Sequence, residues 1–324
     1  MPKIRYQGTH YDCTEHQSVL DVLLANQLAI PSSCRSGQCQ TCLMQAISGK
    51  PPAAAQQGLK DTLKTQNYFL ACSCIPQEDM EITLPDASDL RMKAIVKHIE
   101  KLSNEVVSIC LQSDVPIAYR PGQFINLFRD ENTARSYSLA SLPDQDDCMQ
   151  LHVRKVPGGR MTGWLHEEIA CGTLVEISQA AGTCFYAPGN MEQPMLLIGT
   201  GTGLAPLYGI ARDALSHGHK GEIRLFHGSM NRDGLYLHGA LQALATEFAN
   251  FRYFPCISNE AVNDPLITSG HVLDIAMQQH GNLSGWRVYL CGNPDMVKAA
   301  RKKTFLGGAA MNDIYSDAFI PAQA

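Results

Sequence analysis

Three cysteines crowd into one short stretch of this chain, Cys34, Cys39 and Cys42 in the spacing C-x4-C-x2-C, and a fourth, Cys72, lies further along. That spacing is the plant-type signature of a 2Fe–2S cluster. Four thiolates must converge on two irons, and three of them come from one tight loop. Gly37 can take a positive φ inside that loop and turn backbone N–H groups towards the sulfurs, where hydrogen bonds help to set the reduction potential. Structural zinc would also use four thiolates, but its ligands come as close pairs at both ends, and here the distal partner stands apart. The fourth ligand is open between two candidates, because Cys72-Ser73-Cys74 offers both; Cys72 sits at the spacing the pattern requires. Cys13, Cys110, Cys148, Cys171, Cys184 and Cys256 are scattered singly and read as small buried hydrophobes, with disulfides not expected in a reducing compartment.

Two glycine-rich turns and a basic-aromatic-hydroxyl triplet supply further chemistry. Gly199-Thr200-Gly201-Thr202-Gly203-Leu204-Ala205-Pro206 follows an apolar run and opens a helical pattern. Glycine lets backbone approach a dinucleotide closely, and a helix N-terminus favours its phosphates. The third glycine comes one residue too early for the G-x-G-x-x-G fingerprint. Gly158-Gly159-Arg160-Met161-Thr162 also precedes a helical pattern, and N–H groups at a helix start beside a hydroxyl suit a pyrophosphate. Arg135-Ser136-Tyr137-Ser138 lies at the end of a strand-like segment. An arginine fork clamps phosphate, a tyrosine ring stacks on a planar heterocycle, and a serine hydroxyl bonds a ring nitrogen.

These residues fall in three regions of different rhythm. In residues 1–88, strand-like Lys3–Tyr6 and Tyr11–Cys13 precede a helical run, Val19–Leu28, that Ser18 can cap. The cysteine loop follows, Met80–Leu84 reads as a closing strand, and Pro85–Asp89 as turn and linker. Residues 91–188 alternate apolar and polar at Lys93–Ile99, Val106–Leu111, Gln123–Phe128, Met149–Arg154 and Leu174–Ser178. Turn signals at Pro121-Gly122 and Pro157-Gly158 separate them, which predicts an antiparallel β-barrel. Residues 194–324 alternate short apolar strands with helical patterns: Met195–Gly199, Leu204–Ser216, Ile223–Gly228, Leu237–Phe248, Arg252–Ile257, Val272–His280, Arg287–Cys291 and Pro294–Phe305. That order predicts a doubly wound parallel sheet.

Here the resemblance to a known family is plain. SCRSGQCQTC followed by FLACSC resembles the N-terminal ferredoxin domain, a β-grasp fold, of the electron-transfer reductases that serve bacterial oxygenases. The R-x-Y-S and G-G-x-x-S/T motifs are similar to those of the flavin barrel in the ferredoxin–NAD(P)H reductase superfamily. G-x-G-x-G-x-x-P and C-G-x-P are similar to its nucleotide domain. The resemblance implies FAD at Arg135, Tyr137, Ser138, Gly158, Gly159, Met161 and Thr162, with Ser138 at the flavin N5. It implies a nicotinamide nucleotide at Gly199, Gly201, Thr202, Gly203, Pro206, Cys291 and Gly292. Cys291 would sit beside the reacting carbon; hydride transfer needs neither an acid nor a nucleophile, so its role is positioning. Phe319, in Tyr315–Phe319, would cover the other face of the flavin, unless the tail is frayed. Arg232 and Asp233 stand side by side after the second strand, so a 2′-phosphate and a free ribose are both provided for; the surrounding segment is closer to NADH-using relatives.

With 324 residues, the chain fits two or three domains. At 45% hydrophobic and 18% charged, with a net charge of −5, it is composed as a globular protein with no bias towards nucleic acid. No apolar run reaches the length of a membrane span, and MPKIRYQG is not a signal peptide. A cytoplasmic protein, a monomer, without membrane or nucleic-acid partners, is the expectation. The function implied is stepwise electron transfer from NADH, with NADPH also possible, through FAD and the 2Fe–2S cluster to an oxygenase component. The same route could serve another acceptor, such as the iron–sulfur dehydratase of deoxysugar synthesis. A redox sensor or zinc-stabilised interaction module is the rival from a different class, and the flavin and nucleotide motifs argue against it.

Overall fold

The computed structural model describes residues 2–59, 61–85, 91–130, 133–260 and 263–320. The expected linker, apart from Pro85 itself, lies outside them. Three separate sheets follow one another along the chain.

In the first region the strands are β1 (Lys3–Tyr6), β2 (Thr9–Asp12), β3 (Leu43–Ser48), β4 (Tyr68–Leu70) and β5 (Met80–Thr83), in the spatial order β2-β1-β5-β3-β4. Helix α1 (Val19–Ala25) packs Val19, Leu20, Val22 and Leu23 against Ile4, Phe69 and Met80. Ser18 accepts from the Asp21 N–H and donates to its carboxylate, a reciprocal cap. The helix ends three residues before the predicted Leu28. The Asn26 side chain and N–H both take the Val22 carbonyl, and Gln27 turns to φ 61. A short helix, α2 (Asp61–Thr65), follows the cysteine loop. Strands β3 and β4 escaped prediction because they exist through pairing, β4 with only three residues and β3 held between β4, Leu43↔Leu70 to Gln45↔Tyr68, and β5, Gln45↔Thr83 to Ser48↔Glu81.

The second sheet is antiparallel, with order β10-β7-β6-β11-β8-β9, from β6 (Met92–Lys101), β7 (Val106–Ser113), β8 (Phe124–Asp130), β9 (Thr133–Ser138), β10 (Met149–Arg154) and β11 (Leu174–Ile177). A bridge from Leu139 to Leu151 joins the two edges, so the sheet closes on itself around Ile109, Leu127, Val153 and Ile177. Helix α3 (Arg160–Glu167) covers one end with Met161 and Leu165. One expectation is corrected here. Cys110 and Cys148 are not single cysteines but a disulfide, with Cα atoms 5.7 Å apart. The β10-on-β7 register sets Gln150 opposite Cys110 and brings Cys148 alongside, which no local pattern could reveal.

The third sheet is parallel, with order β15-β14-β13-β12-β16-β17. Its strands are β12 (Met195–Thr200), β13 (Ile223–Ser229), β14 (Phe251–Ile257), β15 (Thr268–Ser269), β16 (Arg287–Gly292) and β17 (Ile314–Ala318). Helices α4 (Leu204–Ser216) and α5 (His238–Glu247) fill one face, and α6 (Val272–Gln278) and α7 (Pro294–Leu306) the other. The order reverses between β12 and β16, the switch point where doubly wound sheets bind ligands. The stretch expected to cover the flavin is held as a strand: β17 pairs with β16 from Val288↔Ile314 to Gly292↔Ala318. Arg212 on α4 donates two hydrogen bonds, both 2.8 Å, to Asp146 of the barrel, tying the second and third regions together. No helix among the described residues is long and apolar enough to cross a membrane.

Candidate electron-transfer site

All three regions open onto one cavity of 1190 Å³. Cys34 and Cys39 lie on its wall, as do Arg135, Tyr137 and Ser138, Gly159 with Met161 and Thr162, Gly201 and Thr202, Gly292 and Phe319. Gly158, Gly199, Gly203, Pro206, Cys291, Cys42 and Cys72 do not themselves line it.

The cysteine loop is built to hold charged sulfur. Gly37 has φ +74, and the Ser36 and Cys39 N–H groups point at Cys34 Sγ at 3.4 and 3.3 Å. The Cys34 N–H reaches Cys39 Sγ at 3.5 Å, and the Thr41 hydroxyl donates to the same sulfur at 3.1 Å. The Cys72 N–H lies 3.5 Å from Cys42 Sγ. Cys34 is held down to about 4, by its bond from Cys39 first, and Cys72 to about 6, by Cys42. Their partners Cys39 and Cys42 are pushed up by the same shared protons. Thiolate is the ligand form, so a cluster suits this donor set. Cys74, by contrast, is wholly buried in the core of its own domain, where burial lifts it to about 12 with Cys13 adding to the push. The structure brings Cys72 to the other sulfurs and leaves Cys74 apart.

The flavin motif lies on β9. Gly158 turns at φ +69, Gly159 caps α3, and the Thr162 hydroxyl accepts from the Val156 N–H at 3.1 Å, which aims the helix start at the cavity. Those first-turn N–H groups lack helical partners by geometry and are available to a phosphate. Arg135 anchors one nitrogen on the Ala134 carbonyl at 2.7 Å, and its side chain borders the same space. A dinucleotide flavin matches this arrangement of ring-stacking and phosphate-binding groups.

At the switch point two motifs distant in sequence interlock. A Cβ on Gly203 would collide with the Cys291 carbonyl, and one on Gly292 would lie 2.6 Å from the Thr200 carbonyl. Gly201 has φ +54 and nothing near its missing side chain, leaving a space that a dinucleotide phosphate can enter. Cys291 is fully buried behind this loop, with its sulfur 3.8 Å from that of Cys184. Cys184, read from sequence as an ordinary core residue, is therefore part of the site.

Sequence reasoning missed two polar residues. Asp317 on β17 accepts a hydrogen bond from the Ser138 hydroxyl at 3.1 Å. Half-buried on the cavity wall, it is pushed up to about 6, by burial first and by Cys34 as well, against the pull of Ser138. Asn126 on β8 joins the barrel to the cysteine loop. The Asp317 signal was present in Tyr315–Phe319, but only the β16–β17 register aims it. Arg232 and Asp233 do not face the cavity: Arg232 pairs with Asp264 at 2.7 Å, and Asp233 accepts from Asn104 at 2.6 Å.

Models of three families match the chain in the same order: a 2Fe–2S iron–sulfur cluster binding domain at residues 3–77, an oxidoreductase FAD-binding domain at 93–186, and an oxidoreductase NAD-binding domain at 197–302. The reductase component of the naphthalene 1,2-dioxygenase system, a ferredoxin–NAD(P)+ reductase from Pseudomonas putida, is 34% identical over 94% of each chain. The chain belongs to the three-domain ferredoxin–NAD(P)+ reductase family. This reductase is also 34% identical to the reductase subunit of an aromatic O-demethylase from an Amycolatopsis species, over 97% of each chain. The crystal structure of an Amycolatopsis cytochrome P450 reductase superposes on all of it with a TM-score of 0.72 at 32% identity. The reductase is an oxidoreductase of 2Fe–2S, FAD and NAD domains, similar throughout to reductase components of oxygenase systems.

Proposed function

We propose that this reductase carries electrons from NADH to the oxygenase component of a system acting on an aromatic compound. The observation that supports it most is the single cavity onto which cysteine loop, flavin motif and glycine loop all open. FAD bound here would supply hydride acceptance from a nicotinamide and one-electron release towards the cluster, chemistry that belongs to the cofactors. The chain's own residues bind, orient and manage the proton.

In this reading Arg135 and the start of α3 hold the flavin phosphates, Tyr137 packs against the ring, and Phe319, just past β17, closes the cavity. Phe319 is fixed for that task by its N–H bond to the Gly292 carbonyl at 2.8 Å. Gly199, Gly201, Thr202 and Gly203, backed by Pro206 on α4, receive the dinucleotide. Buried Cys291 and Gly292 form the floor beneath the nicotinamide. The Ser138 hydroxyl and Asp317 carboxyl make a two-member proton path from the flavin position to the β17 edge. Cys34, Cys39, Cys42 and Cys72 hold the cluster. The domain limits of 1–88, 91–188 and 194–324 go with these three tasks.

NADH rather than NADPH is favoured because Arg232 is committed to Asp264 and does not line the cavity, so it is not offered to a 2′-phosphate. Acceptor choice follows the relatives, which are the reductases of a naphthalene 1,2-dioxygenase system and of an aromatic O-demethylase.

The test is anaerobic titration of the purified protein with NADH, followed in the visible spectrum. Bleaching of flavin and cluster, followed by reoxidation on adding an aromatic-ring oxygenase, is the expected result. A flavin that NADH leaves oxidised would overturn the reading.

A further inference from the structure

We propose that Asn126 is a positioning residue for electron transfer, holding the cluster loop in register with the flavin motif. The inference rests on the electron route given above. Asn126 lies on β8 in the barrel and is 4% exposed. Its Nδ2 donates to the carbonyl of Cys39, a cluster ligand, at 3.0 Å. Its Oδ1 accepts from the Ser136 hydroxyl at 2.7 Å, and Ser136 is the residue between Arg135 and Tyr137 of the flavin motif. One side-chain amide thus touches the backbone of the cluster loop and a side chain of the flavin strand.

The amide is itself held still. Its residue's N–H donates to Ser178 Oγ at 2.9 Å, and its carbonyl accepts from the Ser178 N–H at 2.9 Å. Its neighbours Ile125 and Leu127 are fully buried in the barrel core. A buried polar side chain lowers stability unless its donors and acceptors are matched. An apolar residue would fill this site at less risk. What the amide adds is direction: it fixes the loop along a particular line, and an apolar contact does not.

A second effect reaches the sulfur. The Thr41 hydroxyl has a single proton and two acceptors, Cys39 Sγ at 3.1 Å and Asn126 Oδ1 at 3.4 Å. A separation of 3.1 Å is short for a bond to sulfur and 3.4 Å is long for one between oxygens, so the Thr41 proton goes to the sulfur. Hydrogen bonds to cluster sulfurs stabilise the more negative, reduced state and raise the potential. Asn126, held by Ser136, and Thr41 therefore act together on Cys39, the first through its backbone carbonyl and the second through its sulfur.

The experiment uses the holoenzyme with Asn126→Leu, Asn126→Asp and Thr41→Val. Ferricyanide, which drains the flavin directly, and cytochrome c, which takes electrons from the cluster, separate the two exits. Both Asn126 variants should keep iron content and NADH–ferricyanide activity within twofold, and lose cytochrome c reduction about tenfold, as a small misplacement of reacting centres requires. Thr41→Val, nearly isosteric, should shift the cluster midpoint potential, read by EPR-monitored titration, to more negative values. An unchanged ratio of the two activities in Asn126→Asp, together with an unchanged potential in Thr41→Val, would overturn the proposal. Should Asn126→Leu fail to fold, those two variants still decide it. Wild-type protein that reduces neither acceptor would instead sink the functional reading on which the proposal stands.

Discussion

The hydroxyl of Ser138 donates to the carboxyl of Asp317 across a gap of 3.1 Å and 179 positions of sequence. It joins the last residue of the flavin motif to the last strand of the nucleotide sheet. Burial pushes Asp317 up to about 6, while the Ser138 bond pulls it back. Its value in the unfolded chain is about 4. The fold thus favours the acid form: the stabilisation from this group is whole below pH 4 and is lost as pH rises through about 6. Asp317→Asn should raise the melting temperature at pH 8 and leave it unchanged near pH 4. As proton acceptor for Ser138, the carboxylate form should be the active one. Wild-type cytochrome c reduction should fall as pH drops below about 6. In Asp317→Asn it should be about 100-fold lower, with that inflection gone. A pH–rate profile of both proteins between pH 5 and 9 checks this.

The sulfur geometry separates Cys72 from Cys74. Cys72→Ser should lose the cluster's visible absorption and its acid-labile sulfide, while FAD content stays at wild type. Cys74→Ser should retain the cluster and destabilise the protein by about 1–3 kcal/mol, since it places an unsatisfied hydroxyl in a fully buried position. Iron and sulfide analysis alongside urea denaturation gives both answers.

Gly203 touches the Cys291 carbonyl so closely that no side chain fits. Gly203→Ala should therefore displace the glycine loop and raise the KM for NADH at least tenfold, a loss of about 1.4 kcal/mol in binding. Flavin content and cluster spectrum should be untouched. Gly201→Ala tests the other half of the loop: there the space is open but φ is +54, so the strain of about 1–2 kcal/mol should appear first in the melting temperature.

Nucleotide preference follows from the Arg232–Asp264 ion pair. The ratio of kcat/KM for NADH over NADPH should exceed ten in the wild type. Asp264→Ala, which frees the guanidinium, should narrow that ratio by improving NADPH and leaving NADH alone. Steady-state kinetics with both nucleotides is sufficient.

Much of the site was legible in sequence because its chemistry is local. Cys34, Cys39 and Cys42 occupy one loop, and the glycines of residues 199–203 occupy one strand-to-helix turn. Helix α4 began and ended where periodicity put it, Leu204–Ser216. The less legible elements, β3, β4 and β17, owe their existence to partners far along the chain.

The amino-acid sequence by itself determined the three-part order, the cofactors that the motifs suit and the spacing of the cysteine loop, since each depends on residues close together in the chain. Only the tertiary structure decided which residues meet across domains. Asp317 reaches Ser138 because β17 lies parallel to β16, Asn126 reaches Cys39 because the cysteine loop docks on β8, and Cys110 meets Cys148 through the barrel register. Hydrogen bonds and sulfur contacts act over about 3–4 Å, whereas the spacing of distant residues in a sequence carries no distance in space until strands have paired.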